Sequence, residues 1–174
     1  RHTVREMAKR QFVKKICLLG DGEVGKTSLI RRYVLDIFDD QYIQTFGAKM
    51  TKKVLDLEYV ELQLNIWDVL GQKTHGTLHS SYYLGASGAL LVCDMTRPET
   101  LEHLKQWATE LFEVSGEIPI TILGNKCDLE MKVDPLDLES HASTLGCPMM
   151  LTSAKTGQNV HEAFQTLSER IMEG

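Results

Sequence analysis

Two rhythms of apolar and polar residues run through this chain. Residues 12–19 (F-V-K-K-I-C-L-L) form a mostly apolar run that reads as a first strand. From Lys26 to about Asp36 the spacing changes: Leu29, Ile30, Tyr33, Val34 and Ile37 recur on one helical stripe, which predicts an amphipathic helix. Residues 37–47 are polar and Asp-rich, and predict a loop. Residues 50–57 and 59–67 predict two strands around a short turn. In the second, Val60, Leu62, Leu64 and Ile66 face one way, and Glu61, Gln63 and Asn65 the other. Residues 68–81 carry Gly, Thr, Ser and His without a sustained period and predict mostly loop.

Gly88 to Asp94 (G-A-L-L-V-C-D) is continuously apolar, the pattern of a strand covered on both faces. Thr96-Arg97-Pro98-Glu99 fits a capping box with Pro in the first turn, opening one helix through Leu101, Leu104, Ala108 and Leu111. Residues 118–123 predict another buried strand. Asp134-Pro135 starts a helix that ends near Gly146, and residues 148–152 form a last strand. Asn159 is placed to cap a final helix, with Val160, Ala163, Phe164, Leu167 and Ile171 on its apolar stripe. Six strands alternating with helices argue for an α/β three-layer fold. Its sheet is mostly parallel with helices on both faces, because parallel strands need crossover connections. Ligands bind at the carboxyl ends of such strands. Chemistry is therefore expected just after Leu19, Trp67, Asp94, Leu123 and Thr152.

Composition narrows the picture without changing it. At 174 residues one domain is expected. Residues 1–11 are expected as a basic N-terminal arm and residues 12–174 as the folded domain. A net charge of −5 gives no general affinity for nucleic acid or for an anionic membrane. The local exception is Arg1, Arg5, Lys9, Arg10, Lys14 and Lys15, read as a solvated arm or a weak electrostatic contact. Cys17, Cys93, Cys127 and Cys147 are scattered, without CxxC spacing, and are expected to be reduced and mostly buried, as in a cytoplasmic protein. No apolar run reaches about 18 residues, so no transmembrane segment is expected. Residues 171–174 contain no cysteine, so this sequence carries no prenylation box. A soluble monomer is expected, with peripheral membrane contact left open.

The chemistry is carried by short motifs on those strand ends. Gly20-Asp21-Gly22-Glu23-Val24-Gly25-Lys26-Thr27, followed by Ser28, is G-x-x-x-x-G-K-T between a strand and a helix. Its glycines allow the backbone to wrap phosphate oxygens, and successive N–H groups and the helix N-terminus point at the anion. Lys26 would neutralise the β and γ phosphates, and the Thr27 hydroxyl would bind Mg2+. At average residue frequencies a chance match in this chain is roughly one in a hundred or less; a phosphate loop is the better reading than a Gly-rich turn. After Leu123 stands Gly124-Asn125-Lys126-Cys127-Asp128-Leu129. The Asp128 carboxylate can accept two hydrogen bonds from a base offering a ring N–H beside an exocyclic amine, as guanine does and adenine does not. A buried acceptor of that kind rejects the wrong base. Ser153-Ala154-Lys155, after the last strand, would support the base from its far side.

In this order and on these loops, the phosphate loop, W-D-V-L-G-Q, N-K-C-D and S-A-K resemble the Ras superfamily of small GTPases. The likeness covers about residues 12–172. Residues 81–96 (S-Y-Y-L-G-A-S-G-A-L-L-V-C-D-M-T) and 153–164 (S-A-K-T-G-Q-N-V-H-E-A-F) look most like the Rab branch. The resemblance implies a Ras-like P-loop NTPase fold that binds GTP, GDP and Mg2+. It implies that Phe38 stacks on guanine and that Thr45 ligates Mg2+ only with the γ phosphate present. Asp68 would hold Mg2+ through water, the Gly71 N–H would touch the γ phosphate, and Gln72 would orient the attacking water. Lys126, Leu129 and Ala154 belong to the base site by the same likeness. Protein effectors, an exchange factor and a GTPase-activating protein would engage residues 37–50 and 68–83.

Several positions depart from that pattern. Leu70 stands directly before Gly71, where family members usually carry Ala. Its bulk would hinder closure or hydrolysis, or it turns outward as a partner contact; the sequence leaves both open. Thr45-Phe46-Gly47-Ala48-Lys49-Met50 differs from the Rab pattern T-I-G-V-D-F, and Lys73 and His75 replace the usual residues after the glutamine. No arginine lies between Ile37 and Gly47, so that loop supplies no finger in cis. The first expectation is a GTP-binding switch with slow hydrolysis. The alternatives are a hydrolysis-poor guanine-nucleotide scaffold, and an ATP-using P-loop kinase, which Asp128 and the lack of an Arg-rich lid disfavour.

Overall fold

The computed structural model of the protein describes residues 9–36, 49–69 and 76–174. In chain order these form β1 (Arg10–Leu19), α1 (Lys26–Leu35), β2 (Lys49–Asp56), β3 (Val60–Asp68), α2 (Gly76–Tyr83), β4 (Gly88–Asp94), α3 (Pro98–Glu102), α4 (Leu104–Ser115), β5 (Ile120–Asn125), α5 (Pro135–Leu145), β6 (Met149–Leu151) and α6 (Val160–Glu173). One six-stranded sheet runs β2-β3-β1-β4-β5-β6. Only the β2–β3 pair is antiparallel; the other four pairs are parallel.

Two apolar layers follow from the alternation of side chains. Ile16 and Leu18 of β1, with Leu62, Leu64 and Ile66 of β3, pack under α1 and α6. Cys17 and Leu19 face the opposite way, toward α4 and α5. On the first side Phe164 of α6 is fully buried and stacks on Tyr33 of α1, with ring centroids 4.0 Å apart and planes 1° from parallel. All residues of β4 and β5 are buried, as central strands covered on both faces require. Parallel order brings the ends of β1, β3, β4, β5 and β6 to one edge of the sheet, where the motifs lie.

Several local expectations change. Residues 76–83 are helix, not loop: α2 packs against α4 and buries Tyr83, so tertiary contact supplies what a weak period does not. The helix expected after Thr96 is two, α3 and α4, joined at His103. Thr96 does not cap it; Arg97 holds the cap position, and the Thr96 hydroxyl donates to Asp94 Oδ1 at 2.7 Å. Asn159 sits at the cap of α6, but its Nδ2 donates to Leu151 O at 2.9 Å, tying the helix start to β6 instead. Asp134 does cap α5, accepting from Leu136 N at 2.9 Å. β1 also begins earlier than expected, with Arg10 in register with Val60. Of the four free cysteines, Cys17 and Cys93 are buried, while Cys127 and Cys147 are partly exposed. Among the described residues no helix is long and apolar enough to cross a membrane.

Candidate functional site: a phosphate loop beside a base-reading loop

The turn from β1 into α1 has two glycines where nothing larger fits. Gly20 (φ 146°) and Gly25 (φ 103°) are both left-handed, and a Cβ on either would overlap Val92 O or the Asn125 amide. Side chains and one helical amide hold the carbonyls of the loop in succession. Lys26 Nζ donates to Gly20 O at 2.8 Å and to Asp21 O at 2.9 Å. Arg97 Nη1 donates to Gly22 O at 3.0 Å, Lys126 Nζ to Glu23 O at 2.8 Å, and Asn125 Nδ2 to Val24 O at 2.9 Å. Leu29 N donates to Gly25 O at 2.9 Å, beginning the ladder of α1. With its carbonyls so engaged, the loop has its N–H groups left to line an anion site at a helix N-terminus.

Lys26 is buried, with only 6% of its surface exposed. Burial pushes its ammonium down to about 8, against the opposing pull of Asp68 and Asp21. Among the described residues its hydrogen bonds go to two carbonyls, and a phosphate is the natural counter-charge for a buried cation so held. Thr27, one residue on, donates its hydroxyl to Asp68 Oδ2, at the end of β3. Ser28 is half-buried behind it. A hydroxyl and a carboxylate are hard oxygen donors, which suits Mg2+ completed by phosphate oxygens and water. Thr27 and Asp68 thus fit that ion.

The second loop lies across from the first. Asn125 ends β5 fully buried; besides Val24 O, it accepts from Thr152 Oγ1 at 3.0 Å. Lys126 adopts φ 64° and sets its Nζ 2.9 Å from Asp94 Oδ2, a buried carboxylate ending β4. That contact is ionic rather than a directed hydrogen bond. Ser153 Oγ donates to Asp128 Oδ1 at 2.7 Å, fixing the carboxylate. Asp128 is exposed rather than buried, so a base seated on it would itself remove the carboxylate from water. Leu129 is half-exposed beside it, its N–H donating to Lys126 O at 3.0 Å. Ala154 is buried and Lys155 exposed. Arg32 of α1 straps both, donating from Nε to Ala154 O at 2.8 Å and from Nη2 to Lys155 O.

The structure therefore brings together Gly20 through Ser28, Asp68, Asn125, Lys126, Asp128, Leu129 and Ser153 through Lys155. Phe38, Thr45, Leu70, Gly71 and Gln72 lie outside the described residues. Sequence reasoning missed Asp94, Arg97, Thr152 and Arg32. Asp94 and Thr152 left one signal, their places at strand ends where chemistry was expected; Arg97 and Arg32 left none. A family model described as Ras family matches residues 15–173. That match spans nearly all of the chain and every motif above, and the chain belongs to the Ras family of guanine-nucleotide-binding switch GTPases.

Proposed function

We propose that this protein is a Rab-like switch that holds GTP or GDP with Mg2+ and hydrolyses GTP slowly until a partner completes the site. The observation that carries the reading is Lys126. Its ammonium ties the base-reading loop to the phosphate loop through Glu23 O and is steadied by Asp94. One nucleotide could then span both loops on a single rigid frame. Because β1 begins at Arg10, residues 10–174 form the nucleotide-binding domain in this reading, and residues 1–9 a basic arm.

Each residue has a defined task. The loop from Gly20 to Gly25 directs N–H groups at the phosphates. Lys26 places a desolvated ammonium where negative charge accumulates during phosphoryl transfer, and such fixed charges favour the transition state over the ground state. Thr27 and Asp68 would hold Mg2+, which when bound would neutralise phosphate charge. Asp128 accepts from the guanine edge while Ser153 keeps its carboxylate aligned, and Asn125 locks the two loops together. Thr45 and Gly71 would be drawn in by the γ phosphate and released on its loss, so residues 37–50 and 68–83 would present different surfaces to effectors, an exchange factor and an activating protein. Gln72 would orient the attacking water.

Single-turnover phosphate release from GTP-loaded protein with Mg2+ tests the reading. Wild type is expected to release phosphate at a rate on the order of 10−4 to 10−2 per second. Gln72→Leu should abolish release and Leu70→Ala should quicken it. An unchanged Leu70→Ala rate means that Leu70 points away from the site. If neither wild type nor variants hydrolyse a retained GTP, the protein is a guanine-nucleotide scaffold. Equal competition by ATP would defeat the guanine reading altogether.

A further inference from the structure

The segment that joins β4 to α4 grips the phosphate loop from outside the nucleotide site. Trp107 Nε1 donates to Asp21 Oδ1 at 2.9 Å, and His103 Nδ1 contacts Asp21 Oδ2. Both oxygens of one carboxylate are thus held by residues four apart, His103 at the N-cap of α4 and Trp107 in its first turn. An ionised carboxylate only accepts, so Nδ1 carries the hydrogen in this contact. Arg97, from the same segment, holds the next residue through Gly22 O. Trp107 is buried and the Asp21 side chain is only 14% exposed, so their contact is largely screened from water and correspondingly strong, while the His103 ring is 35% exposed at the rim. The chain breaks between α3 and α4 at His103, the residue whose ring makes this reach.

The consequence runs through Asp21. Its side chain is fixed by α4, and its backbone carbonyl accepts from Lys26 Nζ. Where α4 sets the carboxylate, it also sets the carbonyl that steers the Lys26 ammonium. We infer that His103 and Trp107 are positioning residues for nucleotide retention. By gripping the Asp21 carboxylate they hold the phosphate loop and Lys26 in the geometry that binds a nucleoside diphosphate. Neither touches the phosphates. The inference rests on the guanine-nucleotide reading above.

The test is release of fluorescently labelled GDP, with Mg2+ and excess unlabelled GDP, from wild type, His103→Ala, His103→Asn and Trp107→Phe. Loss of a hydrogen bond to a charged group predicts release about tenfold faster in His103→Ala and in Trp107→Phe. Asn places an N–H close to the position of the histidine Nδ1, so His103→Asn should return release to within about threefold of wild type. Melting of the nucleotide-free proteins separates positioning from plain structural support: release should quicken out of proportion to any fall in melting temperature across the variants. Should Trp107→Phe fail to fold, the two His103 variants decide. Unchanged release in His103→Ala overturns the inference. So does equal acceleration in His103→Ala and His103→Asn, or acceleration that merely tracks lost stability. Wild type that retains no guanine nucleotide is a different result: it defeats the functional reading itself and the inference with it.

Discussion

Lys26 makes nucleotide affinity depend on pH in a way that can be worked out in advance. In the nucleotide-free protein burial lowers its pKa to about 8. Bound phosphates would hold the ammonium charged well above that value, so binding at higher pH must take up a proton. For a free-state value of about 8 the charged fraction is about nine-tenths at pH 7 and about one-tenth at pH 9. Affinity for Mg2+-GDP should fall about tenfold between them, or about 1.4 kcal/mol. The stability of the nucleotide-free protein moves the opposite way. Between about pH 8 and the ordinary lysine value near 10.4 the unfolded chain binds a proton that the folded chain does not, so that stability contribution grows as pH rises. Calorimetric titration with Mg2+-GDP at pH 7, 8 and 9, in two buffers of different ionisation enthalpy, measures the affinity and counts the protons. Guanine loses its own ring proton toward the top of this range. Lys26→Arg, cationic throughout, therefore supplies the reference slope. Equal affinities at pH 7 and 9, or the same slope in wild type and Lys26→Arg, would refute the reasoning.

Two further outcomes probe the base site and the core. Asp128→Asn turns one of the two acceptor oxygens into an amide donor, so preference should move from guanine to xanthine nucleotides in a competition assay; retained GTP preference would sink the base-reading role. Phe164→Ala removes a fully buried ring stacked on Tyr33 and should cost about 3–5 kcal/mol in denaturant unfolding. A loss below about 1 kcal/mol would mean that the two helices collapse into the space.

Much of the site was legible because its chemistry is local. Six consecutive residues of β1 or β4 announce a strand, and G-x-x-x-x-G-K-T needs only its own backbone to wrap an anion. N-K-C-D and S-A-K are likewise contiguous, and their strand-end positions told where to look. Contacts that span the chain left no such trace. Arg97 meets Gly22 across 75 positions, Trp107 meets Asp21 across 86, and Arg32 meets Ala154 across 122. Hydrophobic period says nothing about which polar partner a strand order will deliver. The missed helix α2 has the same cause: contact with α4 supplies what its weak period does not.

The sequence by itself determined the alternating α/β plan, the G-x-x-x-x-G-K-T loop, the N-K-C-D motif and the family likeness, since each rests on neighbours along the chain or on a period that survives without a fold. Tertiary structure decided how those pieces act as one. It turned the loop carbonyls onto Lys26, Arg97, Lys126 and Asn125, placed Asp94 behind Lys126, and set α4 on Asp21. Sheet order β2-β3-β1-β4-β5-β6 makes neighbours of strands far apart in sequence, and only folding brings their ends together. The physical reason is range: backbone geometry and motif chemistry act over a few residues, whereas a buried cation and its partners find each other only once the core has closed.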